Sequence, residues 1–210
     1  MSEIKKKIVV LASGLGTNLQ AIIDAIKNGT LSSVEIVAVI SNKKDALALE
    51  RAKNVGIETV FIDPNNFTNN IDYDTKLVEI ISNYSVDLIV LAGYMKILTE
   101  NFVNTFPGKI INIHPALLPD FGGKGMYGKK VHEAVLKSGK TESGCTVHFV
   151  TTEIDAGPII LQRTIPIMPG DTVDSLSRRI LKEEHKLLIE AIEKILSGFV
   201  IPAKAGIQKH

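Results

Sequence analysis

Cysteine occurs once in the 210 residues, at Cys145. No internal disulfide can therefore form, and a metal centre built from several thiolates is excluded. Neither sign of charge dominates: 24 Lys and Arg against 23 Asp and Glu leave a formal net charge of +1. No global field favours nucleic acid or an anionic membrane, so any anionic ligand must be held by local groups. No apolar run approaches the ~20 residues that a membrane-spanning helix needs. The opening "EIKKKIVVLASG" does not read as a signal peptide, because its apolar stretch is short and turns glycine-rich. Internal repeats and low-complexity linkers are missing too. The expectation is a cytoplasmic protein without nucleic-acid or membrane partners, acting on small molecules as a monomer or homodimer.

What is present is a composition of 45% hydrophobic and 22% charged residues, enough for a full core. Apolar β-branched runs at 7–12, 34–41, 57–62, 86–93 and 109–114 predict strands. Amphipathic segments at 18–28, 45–56, 70–84 and 100–106 predict helices between them. That alternation implies a mostly parallel, twisted sheet with helices on both faces and right-handed crossovers. After residue 115 the pattern changes. A helix over 129–139 precedes two runs, 144–150 and 158–167, that suit an antiparallel pair, and a long amphipathic helix over 172–198 opens at Asp171 or Thr172. The expected fold is a Rossmann-like α/β sheet of about seven strands. It is read as a single domain over 1–198, with an N-terminal half to about 108, a second half over 109–198, and a tail over 199–210.

Four stretches carry chemistry. In "LASGLGTNLQ" (11–20), Gly14 and Gly16 let the chain bend at a strand-to-helix junction. The amides of Gly16, Thr17 and Asn18 then point outward at a helix start, a seat for an anion. The third glycine of a dinucleotide fingerprint is Leu19, and no Gly-Lys-Ser/Thr follows, so neither nucleotide motif is complete. By itself the stretch is equally an ordinary tight turn. In "KIINIHP" (109–115), Asn112 and His114 stand two apart on one face of a strand, at the carboxyl end where open α/β sheets build their crevices. Pro115 removes an NH and fixes the exit. An amide and an imidazolium there can stabilise one developing oxyanion, although a lone histidine is more commonly a satisfied core residue. In "VHFVTTEIDAGPII" (147–160), Asp155 lies in a turn between two strands. There it is a turn former, or, if the turn folds over His114, a carboxylate that favours the charged imidazole and moves protons. His148 alternates with Val147 and Phe149 and can face the same cleft. In "AGYMKILT" (92–99), Tyr94, Met95, Ile97 and Leu98 read most simply as core or a short helix.

Taken together, "SGLGTNLQAII", "SNKKDALALERAK", "LAGYMKIL", "INIHPALLP", "TVHFVTTEIDAGPII" and "EEHKLL" resemble, in order, the folate-dependent phosphoribosylglycinamide formyltransferases, over about residues 7 to 195. The resemblance implies a catalytic trio of Asn112, His114 and Asp155. It implies that Gly16, Thr17 and Asn18 hold a substrate 5′-phosphate and that Glu184 contacts the ribose. It implies that 10-formyltetrahydrofolate, as co-substrate and without a metal, is bordered by Met95, Lys96, Ile97 and Leu98, by Asn112, and by the turn starting at Val150 and Thr151, with Asn70 near its tail. Two positions depart from the family pattern. Leu181 stands where a phosphate-reaching Lys or Gln is common, and Asn70 where an arginine is common. The segment "FGGKGMYGKK" (121–130) receives no role. Methionyl-tRNA formyltransferase is disfavoured because the chain lacks that enzyme's basic tRNA-binding extension. A folate hydrolase lacks the usual N-terminal regulatory domain here, and the incomplete glycine fingerprint argues against an oxidoreductase. A formyltetrahydrofolate hydrolase and a non-catalytic phosphosugar-binding protein remain the alternatives.

Overall fold

A computed structural model describes residues 4–198; the expected tail over 199–210 lies outside the described residues. Seven strands follow the order β3-β2-β1-β4-β5-β6-β7. The chain divides into two compact units, one ending at Ile111 and the other beginning at Asn112.

The first unit contains β1 (Lys6–Leu11), α1 (Thr17–Lys27), β2 (Val34–Ser41), α2 (Leu47–Lys53), β3 (Thr59–Phe61), α3 (Asn70–Ser82), β4 (Leu88–Leu91) and α4 (Glu100–Thr105). β1 pairs in parallel with β2 on one side and with β4 on the other, and β3 adds to β2. Ile8 to Leu11 and Leu88 to Val90 are fully buried. Strands this apolar on both faces form only where both faces are covered. Leu19, Ile22, Ile23 and Ala25 give α1 its buried stripe, and Asn69 caps α3 by accepting a hydrogen bond from the Asp72 amide. Because β2 and β4 flank β1 on opposite sides, the carboxyl end of β1 is the point where the winding of the sheet reverses. Crevices open there in doubly wound sheets. A 3-10 turn at Pro64–Asn66 was not foreseen.

β5 (Ile110–His114) leads into the second unit, which contains α5 (Lys129–Lys137), β6 (Glu142–Phe149), β7 (Ile159–Pro166) and α6 (Val173–Leu196). β6 and β7 are antiparallel, with a register shift between Val147 and His148. They approach closely at Gly144, where a Cβ would sit 2.0 Å from the Arg163 carbonyl oxygen. α6 starts at Thr172, whose side chain forms a reciprocal capping box with Ser175. Its stripe of Leu176, Ile180, Leu187, Leu188, Ala191 and Ile192 is buried at helical spacing. Arg163 ties β7 to α6 through Glu183 and Glu190. The mostly parallel α/β sheet, the antiparallel C-terminal pair and the long last helix all match the sequence expectation.

Candidate active site

β5 is a short apolar strand, so its two polar residues are placed by alternation. Ile111 and Ile113 are buried, Asn112 is half-buried, and His114 is 4% exposed. The turn after β6 returns to meet them. Gly157 makes that return possible: a Cβ there would lie 1.8 Å from the Phe149 carbonyl oxygen. The Phe149 amide donates to the Pro158 carbonyl at 2.9 Å and closes the turn. Asp155 sits at its tip with φ 55, a left-handed conformation that a non-glycine residue holds only when its surroundings require it.

The carboxylate of Asp155 faces two imidazoles. Oδ2 lies 3.6 Å from His114 Nδ1, and Oδ1 lies 3.6 Å from His148 Nε2. His148 Nδ1 donates to the Phe149 carbonyl at 2.9 Å. In its neutral form His148 therefore has a lone pair at Nε2, which accepts from Asn112 Nδ2 at 3.2 Å. That contact fixes which way the Asn112 amide points. The register shift between Val147 and His148 falls at this imidazole, and such irregularities are common beside functional sites. Asn112, His114 and Asp155, expected to meet, are brought together, with His148 as a fourth member.

Burial pushes the imidazolium of His114 down, and the Asp155 charge and the Phe121 carbonyl push it back up; the net direction is below the ordinary histidine value. The sequence expectation that Asp155 favours the charged ring is right in sign, but desolvation outweighs it. Burial alone would raise the Asp155 carboxyl. The His148 ring, the His114 charge and the Gly123 amide outweigh that, and hold it below the ordinary carboxylate range.

Sequence reasoning missed two contacts and one buried histidine here. The Phe121 carbonyl faces His114 Nε2 at 2.9 Å, and the Gly123 amide donates to Asp155 Oδ2 at 2.9 Å. Both are backbone atoms, which leave no side-chain signature. His132 on α5 is 5% exposed, and its Nδ1 has no hydrogen-bond partner. Burial lowers its pKa, and the His114 charge lowers it further.

In the first unit, Gly16 caps α1 at φ 67 with its α-carbon packed on α2; a Cβ would lie 2.7 Å from Ala48 Cα. Arg51 Nε donates to the Leu15 carbonyl at 2.8 Å and braces the loop from outside. Thr17 is half-buried and Asn18 is 8% exposed. Ser13, another residue the sequence did not single out, links this loop to the one after β4. Its amide donates to the Gly93 carbonyl, and its hydroxyl oxygen accepts from the Met95 amide at 2.8 Å.

The loop after β4 overturns one expectation. Tyr94, Met95, Ile97 and Leu98 are neither buried core nor helix: Met95 and Ile97 are 50% and 55% exposed. Their alternation with half-buried Lys96 and Leu98 makes an apolar lip with a cation beside it. Lys96 hydrogen-bonds Asn70 and lies 4.6 Å above the Tyr73 ring, while Tyr73 and Tyr94 share a hydroxyl hydrogen bond of 2.8 Å. In the second unit, Val150 and Thr151 open the Asp155 turn, where the Thr151 hydroxyl donates to the Glu153 carbonyl. Glu184 is buried on α6, and Leu181, one turn earlier, is half-buried. Among the described residues no three His, Cys, Asp or Glu side chains converge as a metal-ligand set, and no helix is long and apolar enough to cross a membrane.

An amide held in one orientation beside an imidazole-carboxylate pair suits the stabilisation of charge at a carbonyl, the chemistry of an acyl-group transferase. The formyl transferase family model matches residues 6–192. A phosphoribosylglycinamide formyltransferase from Haemophilus influenzae is 46% identical over 92% of this chain and 88% of its own length. A glycinamide ribonucleotide transformylase from Symbiobacterium toebii superimposes with a TM-score of 0.89 at 43% identity, covering 95% of this chain and 92% of that one. The trifunctional purine biosynthetic protein adenosine-3 of Gallus gallus is 44% identical over 96% of this chain, which spans only 20% of that relative's length. The chain belongs to the formyl transferase family, and within it to the phosphoribosylglycinamide formyltransferases.

Proposed function

We propose that the protein transfers the formyl group of 10-formyltetrahydrofolate to the amine of 5′-phosphoribosylglycinamide, a step of purine biosynthesis. The observation that carries the reading is Asp155, reaching two imidazoles at 3.6 Å while one of them holds the Asn112 amide. The folate supplies an activated one-carbon unit at the acyl oxidation level.

The chain's own groups do the rest. Asn112 uses one Nδ2 hydrogen on His148 and presents the other to the formyl oxygen. As negative charge develops there, protonated His114 stabilises it from Nδ1, and Asp155 stabilises the imidazolium. Asp155 also takes part in moving the amine's proton, directly or through water, to the folate nitrogen N10 as its bond to the formyl carbon breaks and tetrahydrofolate leaves. Gly16, Thr17 and Asn18 hold the 5′-phosphate through outward amides at the N-terminus of α1, where the helix dipole favours an anion. Glu184 contacts the ribose. Met95, Ile97 and Leu98 offer a flat apolar ring a surface, Lys96 lies close by for the anionic tail, and Asn70 positions Lys96. Val150 and Thr151 complete that border. Half-buried Leu181 supplies no charge to the phosphate.

The test is amine dependence. Protein mixed with 10-formyltetrahydrofolate and the phosphoribosyl amine should release tetrahydrofolate only when the amine is present. Release without the amine would make it a hydrolase. Saturable phosphosugar binding without release would make it a binding protein.

A further inference from the structure

The glycine-rich loop after β5 has no role in the reading above, yet its backbone touches both members of the proton-handling pair. We infer that residues 121–123 form a template that sets the tautomer of His114 and aims Asp155, with the missing side chain of Gly122 as the condition for both. The inference rests on the proposed function for its kinetic consequences, but not for its structural ones.

The geometry has three parts. A carbonyl can only accept, so the 2.9 Å contact between Phe121 O and His114 Nε2 requires the proton at Nε2. Neutral His114 then carries its lone pair at Nδ1, on the side of Asp155 Oδ2. A proton arriving at Nδ1 makes an imidazolium that already has an acceptor on each side. The loop thus selects the tautomer whose open nitrogen faces the chemistry. Second, the Gly123 amide donates to Asp155 Oδ2 at 2.9 Å, so the same loop holds the carboxylate oxygen that faces His114. Third, Gly122 lies between these two contacts, and a Cβ there would stand 2.6 Å from Leu118 Cδ2 and 3.1 Å from Asp155 Cβ. Phe121 adopts φ 55 to turn its carbonyl inward, an uncommon conformation for a bulky residue. Gly122 is therefore a positioning residue.

The experiment reads the ring directly. In protein labelled with nitrogen-15 at its five histidines, the His114 signals, assigned with a His114→Gln variant, report which nitrogen carries the proton. The wild type is expected to hold the proton at Nε2 when neutral. In Gly122→Ala the loop must move, and the neutral ring is expected to become a mixture of tautomers. With fold and melting transition retained, kcat should fall about tenfold or more, and both KM values should stay within about twofold. Losing the Phe121 acceptor also lowers the His114 pKa, so the alkaline limb of activity should move to lower pH. If Gly122→Ala does not fold, the double variant Leu118→Val, Gly122→Ala removes the clashing methyl and carries the same readout. A wild-type ring protonated at Nδ1 overturns the inference, and so does a folded alanine variant with an unchanged tautomer and pH profile. Absence of amine-dependent turnover in the wild type would instead sink the proposed function, leaving the tautomer result to stand or fall separately.

Discussion

Replacing Asp155 by Asn removes one charge and little else. The amide oxygen can still accept from the Gly123 amide, and the size and left-handed backbone of the turn suit asparagine as well as aspartate. What disappears is the attraction between a carboxylate and an imidazolium 3.6 Å apart. At an effective dielectric of about 20 that attraction is on the order of 4–5 kcal/mol. This is an upper figure, because the carboxylate is shared with His148 and is 12% exposed. Taking a third to a half of it, about 1.5–2 kcal/mol, as the stabilisation the protonated ring loses, the His114 pKa should drop. The sign follows from the charges. Asp155 raises the pKa, so its loss lowers it, and the protonated ring disappears at a lower pH than in the wild type. The alkaline limb of kcat should move down with it, and turnover at neutral pH should fall about 10- to 100-fold. Two measurements decide the matter: amine-dependent tetrahydrofolate release across about pH 4–8, a window that reaches below the ordinary imidazole value because burial lowers His114, and titration of the His114 ring by NMR. A folded Asp155→Asn protein whose alkaline limb stays put or moves up would refute the argument, whatever its kcat.

Asn112→Ala should cut turnover by roughly a hundredfold with the fold intact, as loss of one oxyanion donor does, and the check is kcat alongside an unchanged melting transition. His148→Phe removes the acceptor that fixes the Asn112 amide and leaves a half-buried N–H unpaired. It should lower kcat about tenfold or more, a cost of about 1–3 kcal/mol, while KM for the phosphosugar barely changes. Gly16→Ala drives a Cβ to 2.7 Å from the Ala48 backbone at a positive φ; thermal denaturation should show a loss of about 1–3 kcal/mol, and KM for the phosphosugar should rise more than KM for the folate. Asp155 also shapes acid stability. Its folded pKa lies below the unfolded value, so its contribution is present above about pH 4 and is lost as pH falls through the folded value. Asp155→Asn should therefore flatten the acid side of the stability curve measured by urea unfolding.

The sequence made the strands legible because burial on both faces writes itself as runs of valine and isoleucine, as in the fully buried Ile8 to Leu11. Helices were legible by period, although α2 spans only Leu47–Lys53 where the pattern suggested 45–56. Asp45 and Ala46 lead in as the Gly16 loop packs on Ala48, so tertiary contact, not propensity, sets that boundary. Asn112 and His114 could be read from alternation alone. Asp155 could not be placed: nothing local says that a turn more than forty residues downstream folds back to β5, and only the family resemblance suggested it. In the structure the cause of that return is visible in Gly157, whose missing Cβ leaves room for the Phe149 carbonyl. The 92–99 loop misled for the opposite reason. Met95 and Ile97 are exposed there, and a pattern rule that equates apolar with buried fails wherever apolar side chains face solvent.

The least legible part is the contribution of the main chain. Phe121 O, Gly123 N and Phe149 O set two imidazole tautomers and one carboxylate, and none of these atoms depends on residue type. Their trace in the sequence is indirect: a glycine at each place where a side chain would block the approach, Gly122 beside Asp155 and Gly157 beside Phe149. Substitution at either glycine should therefore disturb proton handling without touching an ionisable group. Gly157→Ala is the harsher case, because a Cβ 1.8 Å from a carbonyl oxygen cannot be relieved by rotating a side chain. It should unseat the whole Asp155 turn, abolishing turnover and the Asp155 influence on the His114 titration together. A folded Gly157→Ala protein that kept a wild-type His114 titration would mean that the turn is held in place by something other than this close approach.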